Sequence, residues 1–196
     1  MSLADHEIST DTELLTRAAQ GDETAFQQLY GRHRDAVYRF AYRLLGTAAA
    51  AEDATHDCFI ALLRRPLAFD ATRATLRTYL LAAARNLAFK QFRRNGHELI
   101  VEEWLDEPTA PETLNPLRQL LAQEAAVEVR RAVLSLPPLQ REALVLFEYE
   151  ELSLAEIATI TGADVNAVKA RLHRARQSLK RELADYWQPA LAVSKQ

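Results

Sequence analysis

A single cysteine, Cys58, rules out an internal disulfide and any metal site built on a cysteine cluster. The histidines (His6, His33, His56, His97 and His173) are scattered with no metal-ligand spacing. There is no phosphate-cradling glycine loop, no His-Glu-x-x-His and no nucleophile elbow. No catalytic residue, metal or cofactor is therefore expected. Five glycines and seven prolines in 196 residues argue against a fibrous or long disordered chain. Long apolar runs are also missing, since Arg77 and Arg85 interrupt the best membrane-span candidate, Leu76 to Phe89. Met1 to Asp11 is acidic and has neither the basic start nor the apolar run of a signal peptide. These absences read as a soluble, cytoplasmic chain with no membrane insertion. The length permits one domain or two small ones, each able to bury a core.

Basic charge is concentrated in two places, and the distribution says more than the net charge of −3. No acid falls between Asp70 and Glu98, where Arg73, Arg77, Arg85, Lys90, Arg93 and Arg94 occur. None falls between Asp164 and Glu182, which enclose Lys169, Arg171, Arg174, Arg176, Lys180 and Arg181. Between the two blocks, Gly96 to Pro116 carries six acids and no Lys or Arg. One charge run alone is ordinarily a solvated helix face; two acid-free runs fit two separate contacts with nucleic acid.

Periodicity predicts helix almost throughout. A short helix over Thr12 to Ala19 ends at Gly21-Asp22. A long one buries Phe26, Leu29, Tyr30, Val37, Phe40, Ala41, Leu44 and Leu45 and stops at Gly46. Thr47 to Arg65 is closed by Pro66, and the loop Pro66 to Thr75 leads into a helix ending at Arg94. Pro108, Pro111 and Pro116 mark the acidic segment as a linker. A second helical group begins near Leu117, with Pro137-Pro138 as a natural helix start. The expectation is an all-α protein of two small helical domains joined by an acidic flexible linker. Its parts are a disordered start (1–11), an N-terminal domain (12–95), the linker (96–116), a C-terminal domain (117–186) and a tail (187–196).

The C-terminal group holds a helix-turn-helix. Ser153 and Glu156 form a capping box, with Leu152 and Ile157 placed as a hydrophobic staple. Gly162 supplies the left-handed turn. The next helix puts Val165, Val168, Leu172, Ala175 and Leu179 on one stripe. Its opposite face carries Asn166, Ala167, Ala170, Arg174, Gln177 and Arg181, flanked by Lys169, Arg171 and His173. Small alanines beside long donors suit a helix set in a major groove.

Leu136-Pro-Pro-Leu-Gln-Arg-Glu-Ala-Leu, the Leu-Ser-x-x-Glu-Ile-Ala core and the Val-Lys-x-Arg-Leu-His-Arg-Ala-Arg176 tail closely resemble the C-terminal domain of extracytoplasmic-function (ECF) sigma factors. Gly21-Asp22 with Ala25-Phe26, Ala51-Glu52-Asp53, Ala84-Arg85-Asn86-Leu87-Ala88 and Arg93-Arg94 resemble the family's N-terminal domain. The resemblance runs from about residue 12 to 183. It implies a dissociable initiation subunit of bacterial RNA polymerase that reads the −35 promoter element as duplex and captures the −10 element as a single strand.

By that resemblance, Asn166, Lys169, Arg171, His173 and Arg174 contact −35 DNA, whereas Arg176 has a structural or a DNA role. A −10 groove would use Arg77, Asn86, Lys90, Arg93 and Arg94 with Tyr79, and Phe69 and Asp70 at the tip of the loop that receives a flipped base. Phe89 and Phe92 also read as core. Glu52, Asp53 and Asp57 would dock on the clamp of the largest polymerase subunit, although acids at a helix start also favour its dipole. Cys58, among apolar neighbours, reads as packing. The linker would thread the RNA exit channel, and an anti-sigma factor is a possible further partner.

The chain departs from the family pattern at Lys90 (commonly Asp), Tyr79 (often Trp), His56 (often Gln) and Asn166 (often small). With only thirteen residues after Leu183, no appended regulatory domain is expected. The alternative reading is a dimeric helix-turn-helix regulator acting without polymerase. Such proteins usually carry an α/β receiver, and no strand pattern is present.

Overall fold

Side-chain caps set the helix boundaries at the start of the chain. The Thr10 hydroxyl accepts from the Glu13 amide at 3.3 Å, and the Glu13 carboxylate accepts from the Thr10 amide at 2.8 Å. This reciprocal pair satisfies amides that would otherwise be orphaned, and it starts the first helix at Asp11. The computed structural model describes residues 10–94 and 116–193, with side chains at 10–94 and 124–184. The acidic stretch expected to be a linker, apart from Pro116, and the chain's first nine residues lie outside the described residues.

The first group comprises α1 (Asp11–Ala19), α2 (Glu23–Leu45), α3 (Ala48–Arg64), a 3-10 turn (Pro66–Ala68) and α4 (Leu76–Arg94). The second comprises α5 (Pro116–Ser135), α6 (Pro138–Leu144), a π turn (Val145–Tyr149), α7 (Leu154–Thr161) and α8 (Val165–Val193). The described residues contain no strand. Asp22 and Thr47 cap α2 and α3, and Pro138 opens α6, as proline can where no amide is needed. The backbone of α8 continues to Val193, through residues expected to form a tail.

The helical period puts Leu14, Leu29, Phe40, Leu44, Phe59, Leu62, Leu80 and Leu81 into the core of the first group. In the second group, Val145, Leu146, Ile157, Val168, Leu172 and Ala175 do the same. Val165 breaks the expected stripe and is exposed. It is the first residue of α8, so no preceding turn covers it.

The two groups pack on one another. α4 lies against α7, and α2 meets α5, α6 and the π turn. Gly46 ends α2 at φ 80°, and a β-carbon there would lie 3.2 Å from Leu134 of α5. Gly162 has φ 66° with open space around it. Gly162→Ala should therefore show only the left-handed penalty of about 1–2 kcal/mol. Gly46→Ala should cost more, because Leu134 must also shift. Urea denaturation of the two variants checks the order; equal losses would mean that Leu134 yields freely.

Candidate nucleic-acid interface

The helix-turn-helix is built locally. Ser153 and Glu156 form the reciprocal capping box of α7, with the Ser153 amide donating to Glu156 at 2.8 Å. These hydrogen bonds hold the Glu156 carboxyl below its ordinary range. The staple residues Leu152 and Ile157 are both buried. Asp164 then starts α8 by accepting from the Ala167 amide at 2.8 Å.

Asn166, Lys169, His173 and Arg174 stand exposed on α8. Arg171 does not join them. It lies on the flank of the helix, with Nη1 3.9 Å from Oε2 of buried Glu142. That spacing is too long for a hydrogen bond, so both atoms are buried without a hydrogen-bond partner. Arg176 is tied to Glu148 at 2.6 Å and lies over the Phe147 ring at 5.3 Å, a structural placement.

On α4 the expected single-strand residues divide between two sides. Tyr79, Asn86, Lys90 and Arg93 recur at steps of seven, four and three, and so share one stripe. Asn86, Lys90, Arg93 and Arg94 are exposed. Arg77 belongs to the other side, where it donates to the Glu150 carboxylate at 2.6 Å. Phe92 is core; Phe89 is half-buried, packing edge-on to Phe92 at 5.5 Å beneath the Arg85 guanidinium.

In the loop before α4, Oδ1 of Asp70 accepts from the Thr72 amide at 2.9 Å and its hydroxyl at 2.7 Å. These bonds pull the Asp70 carboxyl below its ordinary range and fix the turn. Phe69 meets Tyr79 edge-on at 5.6 Å. The two rings, with Asp70, line a cavity of about 260 Å³ whose far wall is Thr159 and Ile160 of α7.

Glu52, Asp53 and Asp57 are exposed on α3, while Ala51, Ala54 and Cys58 of the same helix are buried. Burial, reinforced by nearby Asp57, pushes the Cys58 thiol up to about 12, so it is inert packing at neutral pH. Among the described residues, no group of His, Cys, Asp and Glu gathers as metal ligands would, and no helix is long and apolar enough to cross a membrane.

Sequence reasoning missed a buried charge cluster between the two groups. Arg141 and Glu142 are fully buried and Glu150 nearly so. Arg141 donates to the carbonyls of Leu44 at 2.6 Å and Leu136 at 3.0 Å, and to that of Leu134. Burial pulls its pKa down to about 10, which leaves it charged at neutral pH. Glu142 binds Arg85, and Glu150 binds Arg77 and, at 3.5 Å, Arg43. Desolvation pushes both carboxyls up, partly opposed by these arginines. The available signal was Gln140-Arg141-Glu142 inside the otherwise apolar stretch Leu136 to Phe147.

A helix-turn-helix with an exposed basic face, packed on a second helical unit with its own basic stripe, defines an all-helical DNA-binding protein. Residues 29–98 match the family model for sigma-70 region 2, and residues 126–179 match that for sigma-70 region 4. The chain is 33% identical over 184 residues to the ECF RNA polymerase sigma factor BldN of Streptomyces coelicolor, covering 93% of this chain and 69% of that protein. It is 30% identical over 182 residues to the ECF RNA polymerase sigma factor SigW of Bacillus subtilis, covering 87% and 95%. The fold is similar to that of the sigma factor RpoE from Bartonella quintana, solved with the anti-sigma factor NepR (TM-score 0.64, 24% identity, 81% of this chain and 96% of that one). It is also similar to CnrH, solved with the cytosolic domain of CnrY (TM-score 0.62, 25% identity, 90% and 99%). The chain belongs to the ECF sigma factors of the sigma-70 family.

Proposed function

We propose that this sigma factor binds core bacterial RNA polymerase in the cytoplasm and directs it to promoters through two separate readings. The C-terminal unit, residues 117–186, reads the −35 element as duplex with Asn166, Lys169, His173 and Arg174. Arg171 takes part once it has turned from Glu142. The N-terminal unit, residues 12–95, takes the −10 element as a single strand. Asn86, Lys90, Arg93 and Arg94 track its phosphates, Arg77 joins them when released from Glu150, and the cavity between Phe69, Asp70 and Tyr79 receives a base. Glu52, Asp53 and Asp57 dock on the polymerase clamp. The relatives RpoE and CnrH were each solved with a second protein, and an anti-sigma factor is the corresponding partner here.

The observation that carries the reading is the exposed face of α8, where four polar side chains follow a capped turn whose core is packed behind them. Arg and Lys pair with guanine edges and Asn with adenine, each good bidentate pair discriminating by about 1–3 kcal/mol. Run-off transcription with core polymerase and a library of genomic fragments tests it. Transcripts sharing two spaced upstream elements are expected. Random starts, with a palindromic footprint by the protein alone, would replace the reading with a dimeric regulator.

A further inference from the structure

The recognition helix opens on a side chain that the fold does not use. Asp164 caps α8 by accepting from the Ala167 amide at 2.8 Å, so Val165 is the first helical residue and Asn166 the second. Val165 is 37% exposed, and among the described residues it is the one large apolar side chain of α8 left exposed. It stands outside the hydrophobic cluster that takes up Val168, Leu172 and Ala175. Steps of four carry Val165 to Lys169 and His173 along one ridge, and Asn166 to Ala170 and Arg174 along the next. The valine therefore heads a row whose other members, Lys169 and His173, are polar and exposed.

A recognition helix meets the base edges of the major groove with its N-terminal residues. There an A·T pair presents the adenine N7 and N6 amino group at one end and the thymine 5-methyl at the other. Asn166 supplies the matching amide, which accepts from N6 and donates to N7. Val165, one residue before it and about 100° round the helix, supplies two methyl groups and no polar atom. Its β-branched stem restricts χ1, so a contact there orders little that was free. A cytosine in the thymine's place would set an amino donor against these methyls and leave it without a partner. We propose that Val165 is a further specificity-determining residue. It packs on the 5-methyl of a thymine whose paired adenine is held by Asn166, so the −35 element carries an A·T pair where α8 begins. This rests on the reading of α8 as the helix that reads duplex DNA.

The test uses holoenzyme formed from the full chain and core polymerase, on a promoter recovered by run-off transcription. Each thymine of the upstream element, on either strand, is replaced in turn by uracil, which keeps the pairing and removes only the 5-methyl. One such replacement should lower wild-type transcription about fourfold, the worth of one methyl group taken out of water. Replacing the paired adenine by 7-deazaadenine, which strands the Asn166 donor, should lower it about tenfold. Val165→Ala should lower transcription from the thymine template about fourfold and become indifferent to that uracil. Asn166→Ala should lose the response to 7-deazaadenine and keep the response to uracil. The altered templates leave the wild-type protein intact, so their outcome does not depend on how a variant folds. Random start sites from the wild type would overturn the sigma reading, and this inference with it. Specific starts that ignore every uracil would overturn the inference alone. So would a Val165→Ala holoenzyme that responds to uracil as fully as the wild type, the mark of a valine that only supports the fold.

Discussion

Arg141→Met should destabilise the chain by about 3–5 kcal/mol, because three buried carbonyl acceptors lose their donor at about 1–3 kcal/mol each. The guanidinium serves the carbonyls of Leu44, Leu134 and Leu136, at the ends of α2 and α5. Methionine fills much of the space and donates nothing. Each orphaned buried acceptor costs about 1–3 kcal/mol, offset where water can enter. Against a typical total of about 5–15 kcal/mol, such a loss puts the C-terminal unit near unfolding. Urea denaturation should show a lower midpoint at unchanged slope. Arg141→Lys should fall between, since one ammonium cannot span three carbonyls. A loss under about 1 kcal/mol for the methionine variant would mean that water already serves those carbonyls.

Lys169→Ala/Arg174→Ala should cut promoter-specific transcription at least about thirtyfold. Both side chains are exposed on α8, away from the buried Val168, Leu172 and Ala175, so the fold is untouched and thermal stability should stay at the wild-type value. A base-edge contact is worth about 1–3 kcal/mol, and two lost contacts multiply. A phosphate contact would instead weaken all sequences alike and reduce the salt dependence of duplex binding by about one unit of slope. Titration of promoter duplex at several salt concentrations separates these roles. Wild-type transcription from the double variant would remove α8 as the reading helix.

Short-range chemistry was legible in the sequence, and long-range pairing was not. The Ser153–Glu156 capping box, the Leu152–Ile157 staple, the Gly46 and Gly162 stops and the Pro138 start all act within a few residues, where pattern and geometry coincide. Helical spacing also picked out most of the buried face of α2 and α8, but it passed over the buried Ala25, His33 and Tyr42, left Phe26, Tyr30 and Leu179 only partly covered, and misplaced the exposed Val165. Arg77 looked like one more base in an acid-free run, because nothing nearby in sequence shows that Glu150 will meet it from 73 residues away. Glu142 lies 57 residues from Arg85, and Arg141 lies 97 from Leu44. Periodicity assigns a charged residue to a face, and only tertiary packing decides what stands opposite. Arg171 shows the same limit within one domain, since its flank position on α8 allows either DNA or Glu142.

The π turn at Val145–Tyr149 carries a consequence for how the joint between the two helical groups arises and disappears. Its wide ring, closed by the Glu150 amide on the Val145 carbonyl at 3.2 Å, holds one residue more than an α-helical turn of the same register. That extra residue aims Tyr149 and Glu150 at α2 and α4. In-frame loss of a single codon here would let the helix close normally and rotate both side chains by about 100°. The helix-turn-helix downstream would keep its own caps and core. Relatives with and without such an insertion would then differ in whether their two halves associate, with no change in any residue that meets DNA.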